Sequence, residues 1–211
     1  MGQNKVPFHI WEGIFDDFKS AGGFDESFRH PIWYQNLQER TQKLLTQYNK
    51  DRRIPSYPVA HEHPLTTLAA LAAHPTRTLR ILDFGGAMGH DFLAVAASLP
   101  ENQPLDYVVV ELPEIVEKAK TIFPSDTRIT FTNSLPNEAH TFDIVHTASA
   151  LHYCEDWKGT LRDLALLSNK YFSLCDIPAG SIPTFVSLQN FYGSKFRHWF
   201  WNIDEFLLAM N

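Results

Sequence analysis

The chain has 211 residues, which at roughly 150 residues per domain predicts one structural unit with additions rather than two full domains. Hydrophobic residues make up 44% and charged residues 20%, a composition that excludes disordered and collagen-like chains. No apolar run approaches the roughly 20 residues of a membrane-spanning helix, and no basic region followed by an apolar run opens the chain, so we expect neither a membrane nor a secreted protein.

The charge restricts the partners that we expect, and the cysteine content restricts the expected cellular setting. The net charge is −6; residues 1–80 carry ten Lys and Arg against eight Asp and Glu, and residues 81–211 carry eight against sixteen. Because nucleic-acid binding needs a basic patch, we expect no nucleic-acid partner. The two cysteines, Cys154 and Cys175, lack CxxC spacing, which predicts neither a disulfide framework nor a cysteine zinc site and favours a reducing, cytoplasmic setting.

The sequence predicts a boundary near residue 75, where the pattern changes character. Residues 1–75 are predicted to form a helical, aromatic-rich N-terminal arm, with an amphipathic helix from Trp33 to Asn49 and a second helix from about Pro64 to Ala73. Residues 76–211 are predicted to form the main domain, together with the arm as one structural unit.

Short apolar runs alternate with helical stretches in the main domain. The predicted strands are Leu79 to Phe84, Leu105 to Val110, Arg128 to Thr132, Phe142 to Thr147 and Lys170 to Leu174. The predicted helices between them are His90 to Leu99, Pro113 to Phe123 and Trp157 to Leu167. Such alternation predicts βαβ units, and the almost wholly apolar strands are typical of a parallel sheet covered on both faces.

A glycine-rich turn follows the first predicted strand, in the sequence ILDFGGAMG from Ile81 to Gly89. Glycines there let a backbone approach a ligand, and the helix that follows offers its N–H groups to polar ligand atoms. Glu111 lies 22 residues past Gly89, at the end of the second strand, where a carboxylate can accept both hydroxyls of a ribose. The two features together predict a nucleoside-cofactor site.

The details of the turn distinguish between cofactors. The dinucleotide fingerprint Gly-x-Gly-x-x-Gly is incomplete, because Phe84 stands two residues before Gly86. An acid, Asp83, closes the strand instead. The pattern resembles the first motif of class I S-adenosylmethionine (SAM) methyltransferases, with Asp83, Gly85 and Gly89 matching it, Gly86 beside them, and Ala87 where many members have glycine. An acid favours the ammonium of SAM and would repel the phosphates of a dinucleotide.

The resemblance covers roughly residues 79 to 176 and implies a Rossmann-like three-layer sandwich with a parallel sheet in the order 3-2-1-4-5. It implies SAM as cofactor, with Asn133 able to bind the adenine amino group. The cofactor-binding residues that we expect are Asp83, Gly85, Gly86, Ala87, Gly89, Glu111, Leu112, Asn133, Ser134, Leu135 and Ser149.

A looser resemblance concerns the start of the chain and the glycine-rich turn. The opening Trp11 to Phe15, together with Asp83 to Gly86, resembles a bacterial subfamily of methyltransferase-like proteins found among surface-polysaccharide genes. The function expected is methyl transfer to an oxygen or nitrogen of a small-molecule or glycan acceptor, and this resemblance does not identify the acceptor. Two alternatives stay open: an NAD-dependent oxidoreductase, which would share the ribose acid, and a non-catalytic SAM-fold module.

Histidines offer the candidates for a base or a metal ligand. His152 would lie beside the transferred methyl group and could take a proton from the acceptor, or it could simply pack against the methionine end of the cofactor. The cluster His61-Glu62-His63 lacks the spacing of a helical zinc site and is followed by Pro64, so we expect no metal. His146 on the fourth strand is expected to be a core histidine.

The C-terminus is shorter than the resemblance implies. Class I methyltransferases usually add an antiparallel hairpin after the fifth strand, but here only 35 residues follow Asp176 and Ile203 to Met210 is predicted to be helical. We therefore expect the hairpin to be missing, unless Thr184 to Phe191 provides one strand. A fifth strand with an open edge would favour a homo-oligomer or be covered by Pro183 to Tyr192.

Overall fold

A computed structural model of the chain describes residues 9–23, 28, 30–54, 64–191 and 194–210. The helices are α1 (Phe18–Ala21), α2 (Pro31–Asp51), α3 (Pro64–Ala72), α4 (His90–Ser98), α5 (Pro113–Lys120), α6 (Trp157–Leu167) and α7 (Ile203–Ala209). The strands are β1 (Trp11–Phe15), β2 (Leu79–Phe84), β3 (Leu105–Val110), β4 (Ile129–Thr132), β5 (Phe142–Ala148), β6 (Ser168–Cys175), β7 (Ala179–Gly180), β8 (Phe185–Phe191) and β9 (Ser194–Asn202). The strands and helices predicted between Leu79 and Leu174 are all present, and the largest difference in their bounds is the end of α5, predicted at Phe123 and observed at Lys120.

The structure divides the chain into two compact units. One comprises residues 34–177, and the other lies within residues 1–33 and 178–211. This division differs from the predicted boundary at residue 75. The physical reason is that β1, near the start of the chain, forms backbone hydrogen bonds with β8, near its end.

The unit of residues 34–177 contains a five-stranded parallel sheet in the order β4-β3-β2-β5-β6. This is the predicted order 3-2-1-4-5, counted along these five strands. The strand order reverses between β2 and β5, so the carboxyl ends of these two strands flank the position where open α/β sheets bind ligands.

Helices cover both faces of this sheet. On one face, Leu164 and Leu167 of α6 pack in a buried cluster with Leu82, Val110 and Val145. On the other face, Phe92 of α4 packs edge to face against Tyr107 of β3, with ring centroids 5.5 Å apart. The unit is therefore a Rossmann-like three-layer sandwich, as predicted.

The second unit contains a four-stranded sheet in the order β1-β8-β9-β7. The prediction of a helical N-terminal arm is wrong for residues Trp11–Phe15, which form β1, antiparallel to β8. The Glu12 carboxylate binds the Lys195 ammonium at 2.7 Å, and the Asn190 N–H donates to the Ile10 carbonyl at 2.7 Å. Among the described residues of the predicted arm, α1, α2 and α3 retain the expected helical character.

The described parallel sheet ends at its fifth strand without the usual hairpin, as predicted, but an antiparallel hairpin does form elsewhere after Asp176. The segment predicted as a single strand becomes β8, and it pairs with β9 from Phe185 opposite Phe200 to Phe191 opposite Ser194. The hairpin belongs to the four-stranded sheet and adds no strand to the parallel sheet. The C-terminal helix α7 is present as predicted, with Asn202 as its N-cap.

The described helices and the edge strand β6 bear on two expectations, that the chain does not cross a membrane and that it self-associates. None of the described helices combines the length and the apolar character that crossing a membrane requires. Among the described residues, β6 pairs with β5 alone. Self-association through this edge stays a prediction.

A buried carboxylate joins three strands at the amino ends of the sheet, opposite the predicted site. Asp143 of β5 accepts hydrogen bonds from Nη1 of Arg77 at 2.7 Å and from the backbone N–H of Arg80 at 3.1 Å. It also pairs with Nζ of Lys170 on β6 at 3.1 Å. Burial alone would raise the pKa of Asp143, but these donors outweigh it, and the pKa lies below its ordinary value.

We predict that Asp143→Asn lowers the free energy of unfolding by about 1–3 kcal/mol at pH 7, because charge-assisted hydrogen bonds are lost. A carboxyl whose folded-state pKa is lowered stabilises the protein above its unfolded-state pKa and loses that effect as the pH falls through the folded-state pKa. Urea denaturation should therefore show the difference from wild type disappearing in acid. Asp106→Asn, which breaks a pair with Arg80 between side chains 39% and 43% exposed, should cost less than about 1 kcal/mol. Equal effects of the two substitutions would contradict this account of Asp143.

Candidate cofactor-binding site

The loop after β2 turns the chain from the sheet into α4. Gly85, at φ +75°, donates its N–H to the carbonyl of Val110 at the end of β3, at 2.9 Å. Gly89, at φ +80°, directly precedes α4 and donates its N–H to the carbonyl of Gly86 at 3.0 Å. Both φ values lie in the left-handed region, which strains residues with a Cβ atom. The loop is thus bonded to the neighbouring strand at its start and to itself at its end.

Contacts within the protein require glycine at three positions of this loop. A Cβ atom at Gly85 would lie 2.3 Å from the Cβ of Ala150, and one at Gly86 would lie 2.2 Å from Oδ2 of Asp83. One at Gly89 would lie 2.8 Å from Cδ1 of Ile129. The sequence suggested that these glycines admit a ligand; the structure shows that packing against the protein itself already excludes side chains there.

Asp83 is a buried carboxyl at the carboxyl end of β2, with 1% of its surface exposed. The hydroxyl of Tyr107 donates to Oδ2 at 2.7 Å. Burial raises the pKa of Asp83 well above its ordinary value, and the nearby carboxylates of Asp91 and Glu111 add to that effect. The hydrogen bond from Tyr107 opposes it. Asp83 therefore titrates in a setting that favours its neutral form until a cation approaches.

Glu111 joins the loop to the end of β3. Its Oε1 accepts the N–H of Ala87 at 3.1 Å, and its Oε2 accepts the N–H of Leu112 at 2.8 Å. Burial raises the pKa of Glu111, while these two N–H groups oppose the shift. Ala87 has φ +49°, so the position where many class I members have glycine does require the left-handed backbone. A carboxylate has about four acceptor positions, which leaves one on each oxygen for a bound hydroxyl.

The residues expected on the adenine side, which follow β4, differ in their exposure. Asn133 and Ser134 are exposed, and the Ser134 N–H donates to Oγ1 of Thr132 at 3.3 Å. Leu135 is half-buried and packs against the core cluster beneath α6. Leu112, which is 43% exposed at the start of α5, has apolar surface free beside Glu111.

Ser149 follows β5 and is bonded to a residue that the sequence did not suggest. Its Oγ donates to Oδ2 of Asp176 at 2.8 Å. Both residues are exposed at the carboxyl edge of the sheet, with φ of +54° and +52°. Because Asp176 directly follows β6, knowledge of the strand order alone would have placed it beside Ser149.

The two candidate histidines, His146 and His152, occupy buried positions. His152 is 5% exposed, and its ring packs edge to face against Tyr153 with centroids 4.3 Å apart. His146 is 3% exposed, and its Nδ1 lies 3.0 Å from Oγ of Ser173. His146 is therefore a hydrogen-bonded core histidine, as predicted, whereas both interpretations of His152, as a base or as a packing residue against the cofactor, stay predictions.

Tyr107 is the contact to Asp83 that the sequence analysis missed. It lies within an apolar strand, where an aromatic residue is usually a packing element. Its position two residues back from Val109, which is opposite Asp83 in the β2–β3 register, would have put both side chains on the same face. The polar hydroxyl of a tyrosine at that position could have indicated the contact.

No group of three or more potential ligands that could hold a metal ion occurs among the residues that the structure describes. The cluster His61-Glu62-His63 lies outside those residues. The sequence prediction about that cluster therefore stays a prediction.

Comparison with known proteins relates the chain to solved structures. No protein-family model and no curated protein matches it. A chain from the complex between the Haloferax volcanii Trm112 methyltransferase activator and a protein assigned as a methyltransferase superimposes with a TM-score of 0.53 at 14% identity, covering 90% of this chain and 76% of that one. This chain shares that fold. At such identity the likeness concerns the fold alone.

Two further structures lie below a TM-score of 0.5. Burkholderia thailandensis 1,6-didemethyltoxoflavin-N1-methyltransferase, with bound 1,6-didemethyltoxoflavin and S-adenosylhomocysteine, gives 0.49 at 16% identity, covering 90% of this chain and 81% of that one. The trans-methyltransferase CalH complexed with SAH gives 0.42 at 22% identity, covering 51% of this chain and 34% of that one. The chain thus spans about a third of the length of CalH.

We predict that Gly85→Ala lowers the free energy of unfolding by about 2–4 kcal/mol, through left-handed strain and overlap with Ala150. In an Ala150→Gly background the overlap is removed, and the same substitution should cost only about 1–2 kcal/mol. Urea denaturation of the four proteins measures the coupling. An equal cost in both backgrounds would mean that Ala150 does not restrict this position.

Proposed function

We propose that this protein is a SAM-dependent methyltransferase that acts on an oxygen or nitrogen of a small-molecule or glycan acceptor. The observation that carries the proposal is the Glu111 carboxylate, bonded to the N–H of Ala87 in the glycine-rich loop and placed at the end of β3. One acceptor position remains on each of its oxygens, which suits the two hydroxyls of a ribose.

The charge around the loop supports SAM over a dinucleotide. Asp83, Asp91 and Glu111 are close enough for the last two to raise the pKa of the first. Ionised carboxylates repel a pyrophosphate and attract a cation, and a cation beside Asp83 would also favour its ionised form. SAM supplies an electrophilic methyl group on a sulfonium and also carries an ammonium. Asp83 is the residue that we assign to the cationic end.

The remaining cofactor contacts are proposed from position along the sheet edge. The backbone of Gly85, Gly86, Ala87 and Gly89 would line the cofactor, Leu112 would cover one face of the adenine, and Asn133, Ser134 and Leu135 would border it. Ser149, at the end of β5, would lie toward the acceptor. The exposed positions of Leu112, Asn133 and Ser149 support these assignments.

The chain's contribution to methyl transfer would be mainly the alignment of the two reactants. His152, 5% exposed in the turn Leu151–Tyr153, stays the candidate for a base. A glycan acceptor would accord with the resemblance to methyltransferase-like proteins of surface-polysaccharide genes. We also propose a cytoplasmic setting, in keeping with two free cysteines, and self-association through the β6 edge.

Isothermal titration of the full chain with SAM, S-adenosylhomocysteine and NAD tests the proposal. Binding of SAM without binding of NAD supports it. Both cofactors offer a ribose to Glu111, so that residue alone does not distinguish them. Binding of NAD without SAM would select the oxidoreductase alternative. SAM binding with no methyl transfer to any hydroxyl or amine acceptor offered would leave the non-catalytic module.

We predict that Glu111→Ala weakens SAM binding about ten- to a hundredfold, because charge-assisted hydrogen bonds to the ribose, worth about 1.5–3 kcal/mol, are lost. Calorimetric titration provides the dissociation constant. Glu117→Ala is the matched control, since Glu117 lies on α5, is 75% exposed and pairs only with Lys120 among the described ion pairs. An unchanged affinity in folded Glu111→Ala protein would remove Glu111 from the site.

A further inference from the structure

The cofactor site contains a buried pair whose role goes beyond the residues assigned so far. Tyr107 and Asp83 are 0% and 1% exposed, and the tyrosine hydroxyl donates to Oδ2 at 2.7 Å. Within the described part of the chain, Oδ1 of Asp83 accepts no hydrogen bond from the protein. Oδ2 of the carboxyl is thus hydrogen-bonded to Tyr107, and Oδ1 has no donor among the described residues.

Gly86 is a second neighbour of the same carboxyl. A Cβ atom there would lie 2.2 Å from Oδ2 and 3.0 Å from Oδ1, so the Asp83 carboxyl is in direct contact with the backbone of the loop. The ring of Tyr107 is itself held by Phe92 of α4, which is fully buried. The carboxyl is therefore in contact with both a fixed tyrosine hydroxyl and the backbone of Gly86.

We propose that Tyr107 is a positioning residue of the cofactor site: its hydroxyl orients the Asp83 carboxyl against the backbone of Gly86 and leaves Oδ1 for the cationic end of the ligand. This inference rests on the proposed function. Donation from the hydroxyl also favours the ionised carboxylate, the form that a cation binds. Tyr107 acts through Asp83 and does not itself touch the ligand.

Tyr107→Phe removes the hydroxyl and keeps the other titratable side chains that surround Asp83. Asp91 faces it from the first turn of α4, and Glu111 from the end of β3. His146 of β5 is its register partner across the sheet. The effect of removing the hydroxyl on Asp83 can therefore be separated from theirs.

Tyr107→Phe keeps the ring and removes the hydroxyl. We expect SAM to bind about three- to tenfold more weakly at neutral pH, the loss of one net hydrogen bond. Because loss of the donor makes Asp83 harder to ionise, the pH at which SAM affinity falls by half should move upward. The carboxyl ¹³C resonance of Asp83, assigned by its loss in Asp83→Asn, should titrate at a higher pH in the ligand-free variant too.

Tyr48→Phe is the matched control. Tyr48 is 4% exposed, and its hydroxyl oxygen accepts a hydrogen bond from Nη1 of Arg128 at 3.2 Å. Its loss should lower stability without moving either midpoint. If Tyr107→Phe does not fold, 3-fluorotyrosine at position 107, a more acidic and stronger donor, should move both midpoints to lower pH.

The outcomes separate this proposal from the function on which it rests. If the wild-type protein does not bind SAM, both fall. If the wild type binds SAM and Tyr107→Phe lowers stability while leaving affinity and both midpoints unchanged, Tyr107 is a packing residue only and the proposed function stands. A shift of both midpoints in Tyr107→Phe and not in Tyr48→Phe supports the positioning role.

Discussion

The buried carboxyl of Asp83 is the constraint on which the rest of the site depends. It lies at the end of a central strand with no cation bonded to it among the described contacts, and a single hydroxyl, that of Tyr107, donates to it at 2.7 Å. Its contact with the backbone of Gly86 excludes any side chain there. A buried carboxyl lowers stability unless it is hydrogen-bonded or neutral. An acid at this position also departs from the apolar pattern of the strand, and such a departure indicates a functional role.

The edge of the sheet then assembles by backbone hydrogen bonds between successive strand ends. The N–H of Gly85 donates to Val110, and the N–H of Glu111 donates to Thr132, each at 2.9 Å. These bonds bring the loop, the end of β3 and the end of β4 side by side. The Glu111 carboxylate bonds back to the loop at Ala87, so acidic groups lie on two neighbouring strand ends. An acidic edge of this kind suits a cationic nucleoside better than a phosphorylated one.

The sequence predicted the parallel sheet well because each strand is an uninterrupted apolar run separated by a helix, and the order of such units is restricted by connection rules. It failed for β1, since Trp11 pairs with Gln189 and nothing local in Trp11–Phe15 indicates a partner so distant in the chain. The β8–β9 hairpin, by contrast, is a local pairing with two residues between its strands, and the sequence analysis missed it because only Thr184 to Phe191 was considered as a strand. In the site, Asp83 and Glu111 stood out as acids at strand ends, whereas Tyr107 and Asp176 become meaningful only once the register and strand order bring their partners alongside.

The most direct measurement of the central claim is a crystal structure of the full chain with S-adenosylhomocysteine. The account predicts that both ribose hydroxyls lie within hydrogen-bond distance of the Glu111 carboxylate, about 2.6–3.0 Å, with the amino acid end of the ligand beside the loop of Gly85 to Gly89. Ligand bound elsewhere, or a ribose that leaves Glu111 bonded only to the N–H groups of Ala87 and Leu112, would contradict it.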